Sequence, residues 1–466
     1  MPSFGGGGAV LQLDLSGVAH AIGGHLVGDG CGVVQRVITD SRIVGAGDLF
    51  VALDGARTDG HQYLQQVMDA GAVGALVMPD RCPRPAGLPC VVVTDTLQAL
   101  GALARFHLGR LTANVIGITG TVGKTTAKDM LAHLLGGPQA DVHAAPASYN
   151  SECGLPLAIL AAPLRSRLLV LEYGVNAPGE MRRLLEIAQP QCAWITALTA
   201  VHLEGMGCLQ TIIDEKLLLA AATRGGGVVY MPKSVAELAQ SQLSQWQAAA
   251  DVIAAPASKL LQPGRFELDI PGLGKCALDL EAAHEAQQVS IACHAALKLG
   301  VKPTDLRARV QSLPRPRGRL TRHQFGTVTV LDDAYNASPA AVSAALTVLA
   351  QQPGGRRVAV LGTMHEMGNT AESYHRALGI EAAEAGIERL IGVGVGGAWM
   401  VESAGRAGLD SQHAPTTADA AKLLREGLQA NDQILLKASR AEQLETLLPD
   451  VEQAASALSA VAEGAA

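Results

Sequence analysis

Short runs of β-branched residues alternate with longer Ala/Leu-rich stretches along most of this chain, and this alternation limits the fold more than any other feature. Residues 91–94, 115–119, 168–172 and 194–198 are strand-like, and stretches with apolar residues at helical spacing separate them. Parallel strands need a long crossover between them, which is usually a helix. The pattern therefore predicts parallel β-sheets whose faces are covered by helices.

A second series of the same kind begins near residue 325. A Pro/Arg-rich stretch at residues 313–319 separates the two series and has the composition of a linker. At ~150 residues per domain, the 466 residues suggest about three domains. We therefore expect an α/β protein with a small α/β unit at 1–95, a central P-loop-type parallel sheet at 96–317 and a Rossmann-like α/β domain at 318–466. In the second series, strands are expected at 327–331, 357–361, 390–393 and 434–437, and helices at 340–349 and 418–428.

Composition excludes several classes of protein. Hydrophobic residues make up 48% of the chain and charged residues 17%, so an intrinsically disordered protein is excluded. The formal net charge of -7 argues against a nucleic-acid coat or a binder of anionic membranes. No apolar run reaches the ~18 residues of a membrane span, and residues 1–13 lack the basic flank of a signal peptide. The 8 cysteines form no CxxC pair, which predicts reduced core thiols and a cytoplasmic protein.

Residues 117–126 form a glycine-rich turn between a predicted strand and a predicted helix. In such a turn backbone N–H groups close around phosphate oxygens, and the helix N-terminus adds the positive end of its dipole. Lys124 can reach the β- and γ-phosphates of a nucleotide, and the Thr125 hydroxyl can hold Mg²⁺. The spacing departs from G-x-x-x-x-G-K-[ST] because residue 118 is Ile, and the alternative is a plain glycine turn with an exposed lysine. The candidate phosphate-binding residues are Gly120, Thr121, Gly123, Lys124, Thr125 and Thr126.

A phosphate loop does not by itself select a reaction. Switch GTPases also carry an NKxD-like motif that reads guanine, and this chain has none after the loop. A D-x-x-G motif near the start, residues 14–17, precedes the loop and is in the wrong order. A switch GTPase is therefore not favoured.

Three residues outside the loop are candidates for a metal site. Glu172 ends a predicted strand and His202 follows one, and the carboxyl ends of parallel strands face the ligand crevice. A carboxylate there can hold Mg²⁺. Position alone leaves alternatives open: a solvated acid for Glu172, a structural histidine for His202, and a solvated helix residue for Lys216.

Two weaker motifs lead to no site. His365 and Glu366 would need a histidine at 369 for a zinc-binding H-E-x-x-H, and Asn369 stands there. Residues 392–397 are glycine-rich after a predicted strand and resemble a dinucleotide-binding turn. The helix that follows is weakly marked, so a loop bend is expected.

Taken together, segments along nearly the whole chain resemble the Mur ligases of peptidoglycan synthesis. Residues 39–42, 47–53 and 59–61 are similar to the family's uridine-nucleotide-binding domain, and residues 119–126 to its ATP loop. The other matching segments contain Asn150, Glu152, Glu172, Asn176, Glu180, His202, Lys216, Arg319, Asp332, Asp333, Tyr335, Asn336, Glu366, His375, Lys437, Ser439 and Arg440.

The resemblance implies an ATP-dependent ligase that forms a peptide bond through an acyl phosphate. It is greatest to the members that join D-alanyl-D-alanine to a UDP-N-acetylmuramoyl tripeptide, which implies these small molecules as partners, in a chain we expect to be a monomer. The family also implies two Mg²⁺ ions, one facing a carbamylated Lys216. The implied site residues are Lys124, Lys216, His202 and Arg319 in catalysis; His284, Arg319 and Asp332 beside the ATP loop; Thr125, Glu172, His202 and Lys216 at the metals; and Ser41, Arg42, Asn150, Tyr335 and Asn336 at the substrates.

Several positions depart from the family pattern. Glu285 and Gln288 stand where asparagines are expected, one of which is associated with adenine, and an ionised Glu285 cannot donate to the adenine ring. Two alternatives to the implied function stay open: a Mur-type ligase with another acceptor and amino component, and a non-catalytic protein that kept the fold. The remaining departures are Val122, Ser151, Thr363 and Ala438.

Overall fold

The chain folds into three α/β units arranged around one large cavity. The computed structural model describes residues 11–55, 58–81 and 84–464, except the side chains of 283–284 and 459–464. Within these residues no helix is long and apolar enough to cross a lipid bilayer. The predicted three-domain α/β fold, with parallel sheets covered by helices, is confirmed.

The first unit is a five-stranded sheet in the order β2-β7-β6-β5-β4, parallel except for the antiparallel pair β2/β7. Asp95 accepts hydrogen bonds from the backbone of Leu97 and Gln98 and so caps the long helix that follows the unit. Its elements are β1 (Leu13–Asp14), α1 (Leu15–Ile22), β2 (His25–Val27), β3 (Val33–Val34), β4 (Arg36–Ile38), β5 (Asp48–Val51), α2 (Leu64–Asp69), β6 (Gly74–Val77) and β7 (Cys90–Val92).

The central unit contains a six-stranded, all-parallel sheet in the order β13-β12-β11-β8-β10-β9. Helices cover both faces, which is why its strands are continuous apolar runs such as Leu168–Glu172. Its elements are α3 (Thr96–Arg110), β8 (Asn114–Thr119), α4 (Lys124–Leu135), β9 (Val142–Ala144), α5 (Gly154–Leu160), β10 (Leu168–Glu172), α6 (Glu180–Ile187), β11 (Cys192–Ile195), α7 (Leu203–Met206), α8 (Leu209–Ala221), β12 (Val228–Pro232), α9 (Lys233–Ala239), β13 (Ala249–Ile253), β14 (Ala257–Gln262), β15 (Arg265–Ile270), β16 (Gly274–Asp279), α10 (Ala283–Lys298) and α11 (Pro303–Arg309).

The antiparallel sheet β14-β15-β16 was not anticipated. Its signal is present in the sequence, because Phe266, Leu268 and Ile270 are buried alternately with half-buried or exposed residues. This short period of two lies between longer segments of helical period, which dominate the local pattern.

The C-terminal unit is a second six-stranded sheet in the order β17-β18-β22-β19-β20-β21, with only β17 antiparallel. Helices again cover both faces. Its elements are β17 (Thr321–Phe325), β18 (Val328–Asp332), α12 (Pro339–Ala350), β19 (Arg357–Gly362), α13 (Ala371–Glu384), β20 (Arg389–Val393), α14 (Gly394–Arg406), β21 (Asp410–Ala414), α15 (Thr417–Gly427), β22 (Gln433–Lys437) and α16 (Leu448–Gly464).

Two local expectations were wrong. Residues 392–397 are not a loop bend, because α14 begins at Gly394 directly after β20. The seven described cysteines are free, but Cys31 and Cys208 are exposed rather than in the core, and Cys82 lies outside the described residues.

Candidate active site

A cavity of about 1900 Å³ lies where the three units meet. The first unit contributes Asp54 and Arg81, the central unit the glycine turn and Glu172, and the C-terminal unit Tyr335 and the residues around it. Since β8 and β10 are adjacent and parallel, the turn after β8 and Glu172 at the end of β10 reach the same edge of the sheet. The fold therefore collects charged groups at one edge, as expected for a ligand crevice.

The glycine turn between β8 and α4 has a backbone that only glycine fits. Gly120 and Gly123 have φ of +145° and +79°. A Cβ on Gly120 would lie 2.1 Å from Thr196 Oγ1, and one on Gly123 would lie 2.1 Å from Gln288 Nε2. Both glycines let the chain turn tightly onto the N-terminus of α4, which makes the site suitable for an anion.

Lys124 begins α4 and folds back over the turn, where its Nζ donates to the carbonyl of Gly120 at 3.0 Å. Burial lowers the pKa of its amine; the Glu172 carboxylate opposes that shift and the Arg319 guanidinium adds to it. The side chain lines the cavity. Among the described residues its amine has no other hydrogen bond, so it can turn to a phosphate without breaking a hydrogen bond elsewhere.

Thr125 and Glu172 form the polar centre of the site. The Thr125 hydroxyl donates to Glu172 Oε2 at 2.9 Å, and Asn150 Nδ2 donates to Glu172 Oε1 at 2.8 Å. Glu172 is only 1% exposed, so the alternative of a solvated strand-end acid is wrong. A buried carboxylate with both oxygens bonded is held in one orientation.

Arg319 reaches this centre from the start of the C-terminal unit. Its Nη2 donates to Thr125 Oγ1 at 3.0 Å, and its guanidinium lies 4.4 Å from the centre of the Tyr335 ring. The Tyr335 hydroxyl is 2.6 Å from Ser148 Oγ, which is 3.3 Å from Thr125 Oγ1. Ser148 was missed because no sequence pattern marks a single serine in an irregular segment.

Lys128 was also missed, although it lies one helical turn after Lys124. It is completely buried, and its Nζ donates to the carbonyls of Ala145 and Ala147 at 2.6 and 2.5 Å and pairs with Asp129 at 3.1 Å. Ala147 has a φ of +45°, so this lysine stabilises an unfavourable backbone conformation just before Ser148. Its position on the apolar face of α4 is the sequence feature that indicates a buried lysine.

His202 lines the cavity from the end of the central sheet, but it contacts the C-terminal unit rather than Glu172. Its Nδ1 is hydrogen-bonded to Glu366 Oε2, and this bond holds the pKa of the Glu366 carboxyl below its usual range. His202 and Glu366 have positive φ values of 51° and 63°. The pair joins the two units across the cavity.

Lys216 lies on α8 and is 1% exposed, so a solvated helix lysine is wrong. Burial holds the pKa of its amine well below the usual range, and the charge of Lys124 acts in the same direction. Among the described residues its amine has neither a hydrogen bond nor an ion pair. A buried lysine in this state favours the neutral, nucleophilic form.

In the C-terminal unit the structure brings Asp333, rather than the predicted Asp332, to the cavity. Asp333 accepts from Lys437 Nζ at 2.5 Å, and Lys437 also donates to the carbonyl of Asn336 at 3.1 Å. Asp332 is buried, accepts from the backbone of Ala334 at 3.1 Å, and has a pKa raised by that burial. Successive residues along a strand face opposite sides of a sheet, which explains why Asp333 faces the cavity when Asp332 is buried. Tyr335 and Asn336 both line the cavity.

The predicted uridine-binding residues lie outside this cavity. Arg42 is exposed and makes two hydrogen bonds of 2.8 and 2.7 Å to Asp40, and Ser41 begins the same short turn. The first unit reaches the cavity instead with Leu53, Asp54 and Arg81.

Two of the residues that depart from the family pattern, Glu285 and Gln288, line the cavity beside the glycine turn and the linker. Glu285 accepts from the backbone of Glu281 at 2.8 Å and lies 3.5 Å from Arg315 of the linker. Gln288 faces the glycine turn at Gly123. The side chain of His284 lies outside the described residues, although its backbone begins α10.

Comparison with known proteins adds the identity of the family. Residues 33–107, 118–254 and 318–440 match the family models "Mur ligase family, catalytic domain", "Mur ligase middle domain" and "Mur ligase, glutamate ligase domain". The chain is 31% identical over 436 residues to the UDP-N-acetylmuramoyl-tripeptide–D-alanyl-D-alanine ligase of Bacillus subtilis (strain 168), covering 90% of this chain and 93% of that one. This chain belongs to the Mur ligase family.

Solved structures agree with this assignment. The ligase superposes on a crystal structure of MurF from Acinetobacter baumannii with a TM-score of 0.82 at 28% identity, covering 95% of this chain and 99% of the other. It superposes on the MurF ligase of Thermotoga maritima in complex with ADP with a TM-score of 0.77 at 25% identity, covering 90% and 98%. The resemblance drawn from the sequence is confirmed.

Proposed function

We propose that this Mur ligase joins D-alanyl-D-alanine to a UDP-N-acetylmuramoyl tripeptide and converts ATP to ADP and phosphate. One observation carries the proposal: a single cavity lined by all three units holds the glycine turn, Glu172 and the polar groups of the C-terminal unit. The relative from Bacillus subtilis is named for this activity, and its alignment covers 90% of this chain. A Mur-type ligase with another acceptor and amino component is not favoured.

The reaction consists of two successive nucleophilic substitutions in one enclosed site. The terminal carboxylate of the tripeptide attacks the γ-phosphorus of ATP, and ADP leaves. The dipeptide amine then attacks the carbonyl carbon of the acyl phosphate, phosphate leaves, and the amine loses a proton. Both steps place negative charge on phosphoryl oxygens, so the protein's part is positioning and charge neutralisation.

The central unit supplies the groups for the phosphates. In this proposal the turn from Gly120 to Thr126 encloses the phosphates with its backbone N–H groups, and Lys124 leaves the Gly120 carbonyl to contact them. Arg319 adds a guanidinium from the C-terminal unit, 3.0 Å from Thr125 in the present arrangement. A guanidinium suits the planar, charged oxygens of a transferring phosphoryl group.

The residues present fit Mg²⁺, which prefers hard oxygen ligands. The Thr125 hydroxyl and the buried Glu172 carboxylate lie 2.9 Å apart at the phosphate end of the cavity. His202 lines the same cavity. Lys216 is buried on α8, close enough to Lys124 for their charges to interact, and as a carbamate it would supply two further oxygens. Bound Mg²⁺ neutralises charge on the phosphates. Among the described residues no three His, Cys, Asp or Glu side chains cluster as a metal site.

Carbamylation of Lys216 is supported by its environment. The neutral amine adds to CO₂, forms an N–C bond and releases one proton, which requires a depressed pKa such as burial gives here. Lys216→Ala is expected to lose activity and to regain part of it with added short carboxylates. A mass increase matching CO₂ on the intact protein, absent from Lys216→Ala, measures the modification directly. An unmodified Lys216 in active enzyme would contradict the proposal.

The substrates have separate places in this proposal. Asn150, fixed on Glu172, lies beside the acceptor carboxylate, and Tyr335 and Asn336 contact the dipeptide from the C-terminal unit. Ser41 and Arg42 contact the uridine nucleotide from an exposed turn of the first unit. His284 belongs to the adenine end, next to Glu285 and Gln288.

The same proposal assigns residues 1–95 to the UDP-linked substrate, 96–317 to ATP and 318–466 to the amino component. Each assigned part contains one of the main sheets and contributes to the cavity. Because one chain completes the cavity, we propose a monomer, working in the cytoplasm where ATP is available.

Phosphate release tests the proposal directly. Release is expected only when ATP, Mg²⁺, UDP-N-acetylmuramoyl tripeptide and D-Ala-D-Ala are all present, with one phosphate for each dipeptide joined. Tripeptides ending in diaminopimelate and in lysine are compared in separate reactions. Release with another amino component and none with D-Ala-D-Ala supports the divergent ligase, and no release with any substrate supports the non-catalytic alternative.

A further inference from the structure

The contact of Ser148 with Tyr335 joins the C-terminal unit to the glycine turn of the central unit. Ser148 Oγ lies 2.6 Å from the Tyr335 hydroxyl and 3.3 Å from Thr125 Oγ1. Ser148 lies in the irregular segment after β9, Tyr335 in the segment after β18, and Thr125 in the first turn of α4. Three separate elements therefore meet at one hydroxyl.

The direction of each hydrogen bond follows from the donors available. Both oxygens of Glu172 accept, one from Asn150 and one from Thr125, so the single Thr125 proton points to Glu172. Arg319 has only donors and donates to Thr125. With the Thr125 proton already used, Ser148 must donate to Thr125, and Tyr335 must therefore donate to Ser148. The protons run in one order, from Tyr335 through Ser148 and Thr125 to Glu172.

This order limits what can bind the Thr125 oxygen. A hydroxyl oxygen has two acceptor positions. Ser148 occupies one and Arg319 the other at 3.3 and 3.0 Å. A cation can bind the oxygen only where Arg319 now donates, and Arg319, 4.4 Å from the centre of the Tyr335 ring, is then free to contact a phosphate.

We propose that Ser148 and Tyr335 are positioning residues whose hydrogen bond, formed when the C-terminal unit is in place, holds the Thr125 hydroxyl in the orientation that accepts Mg²⁺. This deepens the proposed function, because it rests on Thr125 holding that ion. Lys128 supports the arrangement by fixing the backbone of Ala145 and Ala147, directly before Ser148. Seating of the C-terminal unit is in this way coupled to cation binding at the phosphate loop.

Calorimetric titration of the full-length enzyme with ADP, in Mg²⁺ and in EDTA, tests the coupling. Ser148→Ala and Tyr335→Phe each remove one hydrogen bond, and each is expected to weaken ADP binding in Mg²⁺ by roughly fivefold and to leave binding in EDTA unchanged. The double variant is expected to match the single variants, because both substitutions break one chain. The matched control is Tyr149→Phe, whose hydroxyl has no hydrogen bond among the described residues.

A plain contact between domains gives a different result. It would change ADP affinity equally in Mg²⁺ and in EDTA, and that result overturns the proposal. Independent effects that multiply in the double variant overturn it too, as does an effect of Tyr149→Phe as large as that of Tyr335→Phe. These readouts require no ligation, so they stay distinct from failure of the proposed function. If the wild-type enzyme ligates D-Ala-D-Ala but the variants bind ADP as the wild type does, the coupling is wrong and the proposed function stands.

Discussion

The central and C-terminal sheets of this Mur ligase contain the same two features, yet the surroundings of these features differ. Each six-stranded sheet has a strand that turns through glycines into a helix, at residues 119–124 and 392–397, and each unit has a buried lysine, Lys216 or Lys437. The same local motif therefore stands in two different environments.

The two glycine turns differ in what fills the helix N-terminus. The turn before α4 lines the cavity, and Gln288 is the side chain that faces Gly123. In the turn before α14, the N–H of Gly396 donates to Thr363 Oγ1 at 3.2 Å, and a Cβ on Gly394 would lie 3.1 Å from Glu442 Oε1. The protein's own oxygens thus occupy the place where an anion would bind.

Two of the buried lysines, Lys216 and Lys437, differ in pairing. Lys437 bonds to Asp333 and to the carbonyl of Asn336, so its charge is paired at the edge of the cavity. Lys216 has no such partner among the described residues, and its pKa is depressed. Burial alone therefore does not distinguish these two lysines, but a hydrogen-bonding partner does.

Lys124→Ala is the strongest test of the difference between the turns. Removing the amine leaves phosphoryl charge unneutralised, so kcat/KM for ligation is expected to fall by at least roughly 100-fold. Thr363→Ala at the other turn is the control, and its activity is expected to remain near wild type. Circular dichroism of both variants confirms folding. Equal activities would show that the glycine turn of the central sheet does not bind phosphate.

Lys216→Met and Lys437→Met are expected to change the free energy of unfolding in opposite directions. At pH 7 the unfolded chain carries a protonated Lys216, whereas burial in the folded chain disfavours the charged amine. This lowers the free energy of unfolding below the usual pKa of 10.5, and the loss shrinks as pH rises toward that value. Lys216→Met should thus raise the free energy of unfolding at pH 7 and lose this gain near pH 10. Lys437→Met leaves Asp333 unpaired and should lower it by about 2–3 kcal/mol. Urea unfolding in CO₂-free buffer measures both; a loss in both variants would contradict the distinction.

Gly123→Ala and Gly394→Ala sharpen the comparison because their backbones are alike. Their φ values are +79° and +71°, so alanine costs about 1 kcal/mol of strain at either position. Each alanine also pushes against a side chain, which is Gln288 at the phosphate loop for Gly123→Ala and Thr363 for Gly394→Ala. Gly123→Ala should therefore weaken ATP binding by roughly tenfold. Gly394→Ala should lower the melting temperature without changing nucleotide affinity. Titration with a non-hydrolysable ATP analogue and thermal melts check the pair.

The smallest effect is expected at the adenine end. Replacing Glu285 and Gln288 together by Asn restores the family pattern and should tighten ATP binding by ~1 kcal/mol, the size of one hydrogen bond. Asn is one methylene shorter than Gln, so the glycine turn also gains room at Gly123. Competition between ATP and GTP, measured as two dissociation constants, gives the selectivity. Weaker ATP binding by the double variant would place adenine elsewhere.

Sequence patterns were most reliable where local and tertiary forces agree. The strand expected at 168–172 is β10, and the helix expected at 340–349 is α12 with one more residue at each end, because fully buried parallel elements require continuous apolar patterns. The antiparallel sheet β14–β16 and the helix after Gly394 were missed where a short pattern lay among stronger ones.

The sequence by itself determined the alternation of strands and helices, the phosphate loop and the family, since these depend on residue type and spacing along the chain. Only the tertiary structure decided that Asp333 rather than Asp332 reaches the cavity and that Ser148 and Lys128 belong to the site. It also decided that one glycine turn is open and the other filled, and that Lys216 lacks the partner that Lys437 has. Hydrogen bonds and burial between residues far apart in sequence depend on how elements pack, and no local pattern records that packing.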